Sequence, residues 1–194
     1  AYDAPAVRQD TGAAQTALAT DDRGTLDLGG YQNVDCIRAR DGLVYAAACD
    51  GAALKKCRSD LVRTDGGHTA AVLTVDGELT GFAFDGSGDL WLSILTPGGG
   101  SLCRAAHDSW GTAVEQVVTQ IDGAPLGAVS AVEAAPDGRI YFAVAASASA
   151  ADGLESTLRT ELLAHTGTGC VYVYDPAART VQKVLGGVAG ASGL

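Results

Sequence analysis

The stretch "FDGSGDLWLSILTPGGGSLCRAA", Phe84–Ala106, decides the fold. Asp85 to Asp89 crowd aspartate and glycine into five positions, a composition that suits a tight turn with positive φ. The run "LWLSIL" that follows is rich in large apolar side chains, and after a glycine-rich break comes "SLCRAA". Apolar runs of this length, bounded by Gly, Pro and Asp, read as short β-strands. The stretch is therefore a turn, a strand, a loop and a second strand.

Near copies lie on either side. "ARDGLVYAAACDGAALKKC" (Ala39–Cys57) and "APDGRIYFAVAAS" (Ala135–Ser147) repeat the order, the latter continued after an insertion by "GTGCVYVYDP" (Gly167–Pro176). The aromatic after the turn falls at Tyr45, Trp91 and Tyr141, intervals of 46 and 50 residues. Each copy parses into four strands. The first is "NVDCIRA", "LTGFAFD" or "VSAVEAAP"; the second "LVYAAA", "LWLSIL" or "IYFAVA". The third is "AALKKC", "SLCRAA" or "CVYVYD"; the fourth "TAAVLTV", "AVEQVVTQI" or "TVQKVL". A four-stranded antiparallel unit at this period predicts a blade of a β-propeller, with a β-sandwich as the alternative.

The expected fold is thus all-β, a six-bladed β-propeller of which this chain supplies about three and a half blades. Residues 1–30 form an N-terminal segment, with Thr25–Leu28 as a strand that could latch the last blade. Blade 1 spans 31–78, blade 2 spans 79–128 and blade 3 spans 129–188, with an insertion at 148–168. Residues 189–194 begin a fourth. Within the insertion, "GLESTLRTELLAH" (Gly153–His165) predicts a helix, because Leu154, Leu158 and Leu162 share one face. An open ring leaves strand edges bare, so a second chain carrying the remaining blades is expected.

Composition narrows the partners. The formal charge of −10 supplies no basic surface for nucleic acid. No run of 18 apolar residues predicts a membrane span. There is no methionine, even at position 1, so a processed or engineered start is expected, and "AYDAP" could follow a removed signal peptide. Five cysteines (Cys36, Cys49, Cys57, Cys103, Cys170) without a CxxC pair point away from zinc, towards buried small hydrophobes with one or two disulfides. Secretion, or another oxidising compartment, is the matching expectation.

"LTGFAFDGSGDLWLS", "GAPLGAVSAVEAAPDGRIYFAVAAS" and "GTGCVYVYDPAARTVQKVLGGVAGASGL" together resemble the strictosidine synthase-like proteins, related to the SMP-30, gluconolactonase and paraoxonase group. The resemblance covers Leu79–Leu194 well and Asn33–Asp50 weakly. It implies a six-bladed propeller and an enzyme acting on a small molecule. A fold shared by lactonases, esterases and a Pictet–Spengler condensing enzyme does not choose among them. The expected function is hydrolysis of an ester, lactone or amide, with the nucleophile on the other chain of a processed enzyme. The alternatives are a condensing or cyclising enzyme and a noncatalytic binding propeller.

Metal-dependent relatives hold a calcium-type ion with acidic and amide side chains at the starts of the innermost strands. The corresponding positions here are Asn33 or Asp35, then Ser130, then Ser192. Hydroxyls in place of amides weaken such a cage, so no cofactor is expected, with Ca²⁺ as the alternative. The family's acid after "YF" is also absent, since Ala143 and Val144 stand there.

Strand-one entrances and the loops between strands two and three surround one mouth of the channel in this architecture, and ligands bind in such mouths. The substrate-binding candidates are Asn33, Asp35, Thr80, Ser130, Ser192 and His165, with Asp50, Ser93, Thr96 and the insertion as loop candidates. Each has a structural alternative. Asp35 can bond turn amides, Ser130 and Ser192 can bond backbone, and His165 can complement a helix C-terminus. His68 and His107 read as surface residues. "TPGGG" lacks the lysine of a phosphate loop, and no Ser-His-Asp order can be assembled.

Overall fold

The computed structural model describes residues 27–31, 33–49, 58–147 and 153–194. Three four-stranded antiparallel sheets follow one another along the chain. The first holds β1 (Asn33–Arg40), β2 (Leu43–Cys49), β3 (Arg58–Thr64) and β4 (Thr69–Asp76). The second holds β5 (Glu78–Phe84), β6 (Leu90–Thr96), β7 (Gly99–Ala105) and β8 (Glu115–Val118). A two-stranded ladder, β9 (Gln120–Ile121) and β10 (Ala124–Pro125), leads into the third. That sheet holds β11 (Val129–Ala134), β12 (Ile140–Val144), β13 (Gly169–Asp175) and β14 (Thr180–Val188). In each sheet strand order equals chain order, the meander expected of a propeller blade.

One strand differs from the expectation. The third strand of the first sheet is Arg58–Thr64, not "AALKKC"; residues 50–57, with Asp50 and Cys57, lie outside the described residues. "RSDLVRT" carries three charges and reads as a linker, yet it alternates: Ser59, Leu61 and Val62 are buried and Arg58 and Arg63 exposed. Pairing with β2 and β4 overrides its weak propensity.

The sheets stack face to face, with the second in the middle. β6 shows why: Leu90, Leu92 and Ile94 join a core with Tyr45, Leu61 and Phe82 of the first two sheets. Trp91 and Leu95, on the opposite face, join one with Val132, Ile140 and Phe142 of the third. Alternation with period two on a strand apolar on both faces is the mark of a sheet covered on both sides. β1, β5 and β11 are the first strands of their sheets, and β5 touches both of the others.

The far face of the first sheet has a different cover. Leu28 and Tyr31 pack on Ala46, Ala48 and Val62. The Tyr31 hydroxyl donates to Asp60 (2.6 Å), and Thr69 Oγ1 donates to the Asp27 carbonyl (2.9 Å). Leu28 therefore packs on the first sheet; Thr25 and Leu26 of the expected latch are outside the described residues. The helix α1 spans Leu154–Ala164, close to the expected bounds, with Gly153 and His165 as its caps. Residues 191–194 form no strand. No disulfide joins Cys36, Cys49, Cys103 and Cys170 to one another, so no expected disulfide forms among the described cysteines. No helix among the described residues is long and apolar enough to cross a membrane.

Candidate functional site

Each first strand breaks its ladder at the same place. In β1 the register shifts between Val34 and Cys36, in β5 between Leu79 and Gly81, and in β11 between Val129 and Ala131. The residue that the register skips is Asp35, Thr80 or Ser130. A bulge kinks the strand and re-aims the extra side chain. Here it does so three times, with a polar residue flanked by an apolar and a small one. All three side chains line one cavity of about 260 Å³, together with Cys36, Arg38, Leu154, Leu158 and Ser192.

Four of the six expected site residues, Asp35, Thr80, Ser130 and Ser192, thus meet in one place. Asn33 starts β1 opposite Cys49, with its Nδ2 buried and unpaired, and is not part of the lining. His165 is exposed at the left-handed C-cap of α1 (φ 50°), also outside the lining. Ser93 is buried beneath Thr80, and Thr96 closes its own turn by donating to the Gly99 carbonyl. His68 and His107 are exposed, as expected.

The hydroxyls are committed. Ser130 Oγ donates to the Ala191 carbonyl at 2.5 Å, which ties the C-terminal segment to β11. Thr80 Oγ1 lies 2.9 Å from Ser93 Oγ, which in turn donates to the Gly81 carbonyl. Neither hydroxyl has a histidine beside it among the described residues, so neither is activated as a nucleophile.

Arg38, which sequence reasoning passed over, lines the same cavity. Its Nε donates to the Phe82 carbonyl (2.7 Å), and its Nη2 to the Val132 carbonyl (3.3 Å) and the Glu133 carboxylate (2.5 Å). One guanidinium so links β1, β5 and β11. The available signal was a charge at an inward position of a strand, two residues from Arg40, which lies over the Phe84 ring at 4.8 Å.

Helix α1 walls the cavity with Leu154 and Leu158. Gly153 offers no capping side chain, and a carboxylate from another sheet takes that role: buried Glu78, on β5, accepts from Leu154 N (3.0 Å). An acid at a helix N-terminus also meets the positive end of the dipole. At the other end buried Glu161 accepts from the Thr166 hydroxyl, Thr168 N (2.6 Å) and the Thr168 hydroxyl (3.1 Å). The Thr166 bond first, then the Thr168 amide, hold its carboxyl below the ordinary range. Gly190 lies beneath Leu158 and Leu162, where a Cβ would come within 3.3 Å of the Leu162 side chain.

The donor set fits a hard cation poorly. Asp35 is the one side-chain carboxylate among the described lining residues, the Thr80 and Ser130 hydroxyls are neutral and bonded, and Arg38 adds positive charge, whereas Ca²⁺ takes six to eight oxygens. No group of three or more His, Cys, Asp or Glu able to hold a metal occurs among the described residues.

A larger groove of about 730 Å³ opens between the second and third sheets, at the opposite end. Its acids are already engaged. Asp85 accepts from Ser87 N (2.9 Å), Ser87 Oγ (2.7 Å), Asp89 N (3.1 Å) and Trp91 Nε1 (2.9 Å). Burial pushes this carboxyl up, but the bonds outweigh it and leave it below its usual value. Asp89 is buried and accepts from Arg104 Nε (2.8 Å), Arg104 Nη2 and His107 N (2.9 Å). These groups build turns.

No family model matches the chain, and no curated protein matches it. Solved structures do. A gluconolactonase from Xanthomonas campestris aligns over 73% of this chain and 43% of its own, at 18% identity and a TM-score of 0.51. A putative gluconolactonase aligns over 75% and 46%, at 14% identity and 0.52. A luciferin-regenerating enzyme aligns over 84% and 48%, again at 14% and 0.52. The chain spans less than half the length of these structures. Identities this low carry the fold and nothing finer: the chain has the β-propeller fold of the gluconolactonase-like proteins.

Proposed function

We propose that this chain forms one side of a small-molecule site in the mouth of a β-propeller, and that the completed protein hydrolyses an ester, lactone or amide there. The observation that carries the reading is the convergence of three bulge residues, Asp35, Thr80 and Ser130, on one cavity. Bulges cost ladder hydrogen bonds, and their placement beside sites is a known use of them. That proteins named gluconolactonases share the fold supports the choice of reaction class.

In this reading the ring has six blades of the strictosidine synthase-like kind, and a second chain carries those that this one lacks. The present residues bind and orient, and α1 keeps water from one wall. That the Thr80 and Ser130 hydroxyls already have partners supports an attacking group from the second chain. The same observation supports a second reading, a propeller that binds a small molecule without turning it over.

A panel of activated esters, lactones and amides, assayed with and without chelator, tests both. The expected result is hydrolysis that survives chelation and falls at least tenfold in Asp35→Ala, on the order of one lost charged contact. Saturable binding with no turnover of any member would overturn the hydrolase and leave the binding propeller.

A further inference from the structure

The cavity wall offers a lopsided set of hydrogen-bonding groups. Asp35 brings a carboxylate and Ser192 a hydroxyl, and Thr80 and Ser130 have directed their protons at Ser93 and the Ala191 carbonyl. The Cys36 thiol is a weak donor. Arg38 differs. Three of its contacts use Nε and Nη2, while Nη1 enters none of them and is not among the buried unpaired atoms. Nη1 therefore keeps two protons that no described residue takes. The carbonyls of Phe82 and Val132 hold the guanidinium by one edge, so its orientation is fixed before any ligand arrives. A fixed guanidinium loses little freedom on binding and suits a planar oxyanion.

Resting on the small-molecule reading above, we propose that the site takes ligands bearing a carboxylate, and that Arg38 Nη1 is the group that receives it. Glu133 tempers the affinity. It pairs with Nη2, so part of the positive charge is already balanced, and the incoming anion meets a weakened rather than a full cation. Glu133 makes the site discriminating rather than tight. Removing its charge must strengthen carboxylate binding, an outcome that a purely structural role for Arg38 does not produce.

The test uses the intact protein and the isosteric probes phenylacetate and phenylacetamide, titrated by heteronuclear NMR or calorimetry. Phenylacetate is expected to bind roughly tenfold or more tightly than the amide, the size of one charge-assisted contact. Arg38→Gln should abolish the preference. Because Arg38 also joins three strands, that variant can fail to fold, and Glu133→Gln supplies the independent arm. It keeps the guanidinium, removes its counter-charge, and should widen the preference by a further several-fold. Equal binding of the two probes, no saturable binding of either at millimolar concentration, or a narrower preference in Glu133→Gln would each overturn the proposal. Turnover of uncharged esters that ignores Arg38→Gln would overturn it and leave the hydrolase standing. Carboxylate preference without turnover of any ester would do the reverse.

Discussion

The two ends of the first strands are built on different principles. At the turn end each hairpin closes on its own residues. Asp41 and Gly42, both with positive φ (52° and 76°), join β1 to β2. Asp85 wraps its carboxylate around the next six residues. Asp137 pairs with Arg139 two residues on. At the mouth end, by contrast, the bonds reach across the chain: Ser130 to Ala191 and Glu78 to Leu154. Local bonds order a hairpin whatever the rest of the chain does. Long-range bonds form only when whole sheets are docked. The mouth is thus the later and softer construction, which suits a binding surface, while the turn end anchors it.

The largest expected effect lies at the anchored end. Asp89 is buried and takes three donors from Arg104 and His107. Asp89→Ala strands a guanidinium, and we expect a loss of about 3 kcal/mol in chemical denaturation. Less than ~1 kcal/mol would mean that Arg104 finds water instead, and that the turn end is no firmer than the mouth. Next comes Gly127, in the loop before β11. A Cβ there would meet the Ala146 carbonyl at 2.2 Å, in the place where Ala128 N donates to that same carbonyl and Ala145 N donates back to Ala128. Gly127→Ala should cost about 2 kcal/mol through overpacking and loosen the junction of the second and third sheets at the mouth. Fast amide exchange at Ala128 and Ala145, with slow exchange in β6, is the matching signature.

The same division explains what could be read in the sequence. Turn chemistry and the strand after it recur visibly, so "RDG", "GSGD" and "PDG" located all three sheets and eleven of the twelve expected strands. The one failure, Arg58–Thr64, is a charged segment whose pairing is set by its neighbours. Asp35, Thr80 and Ser130 were legible as strand entrances because equivalent places in a repeat carry equivalent roles, whereas Ser192 reaches the same cavity from a segment that forms no strand. The bulges that aim them were not, since a register shift leaves no mark in composition. Arg38, Glu78 and Glu161 were not legible either. Each matters through partners 5 to 95 residues away, and no spacing rule connects a β-strand arginine to two carbonyls of other sheets. His165 was assigned to the site by its place in the insertion. The helix that carries it turns Leu154 and Leu158 to the cavity and leaves His165 at the far tip.

At the mouth, Glu78→Ala removes the carboxylate that caps α1. We expect a global loss of about 1–2 kcal/mol, the cost of an unmet buried donor. Amide exchange over Leu154–Ala164 should accelerate more than exchange in any strand. If both regions accelerate alike, α1 is part of the cooperative core and not a separately anchored wall. Glu78→Gln keeps an acceptor oxygen and should recover most of the protection.

The smallest effect sharpens the comparison by pH. Glu161 at the mouth and Asp85 at the turn end are both held below their usual pKa, Glu161 by the Thr166 hydroxyl and the Thr168 amide, Asp85 by bonds that outweigh its burial. A depressed folded-state pKa means that the ionised form is favoured in the fold. Its contribution is complete above the unfolded value, 4.5 for Glu161 and 3.8 for Asp85, and is lost as pH falls through the lower folded value. Acid should therefore weaken both ends, the α1–β13 connection beginning at the higher pH because its reference value is higher. Melting temperature followed from pH 6 to pH 3 should fall less steeply in Glu161→Gln and in Asp85→Asn than in the parent. The Glu161 variant should differ first, and in the exchange of residues 161–169 alone. An acid limb that both substitutions leave unchanged would place the pH dependence in other carboxylates. The two ends would then be alike in this respect, although Asp85 is held within its own turn and Glu161 by the segment that follows α1.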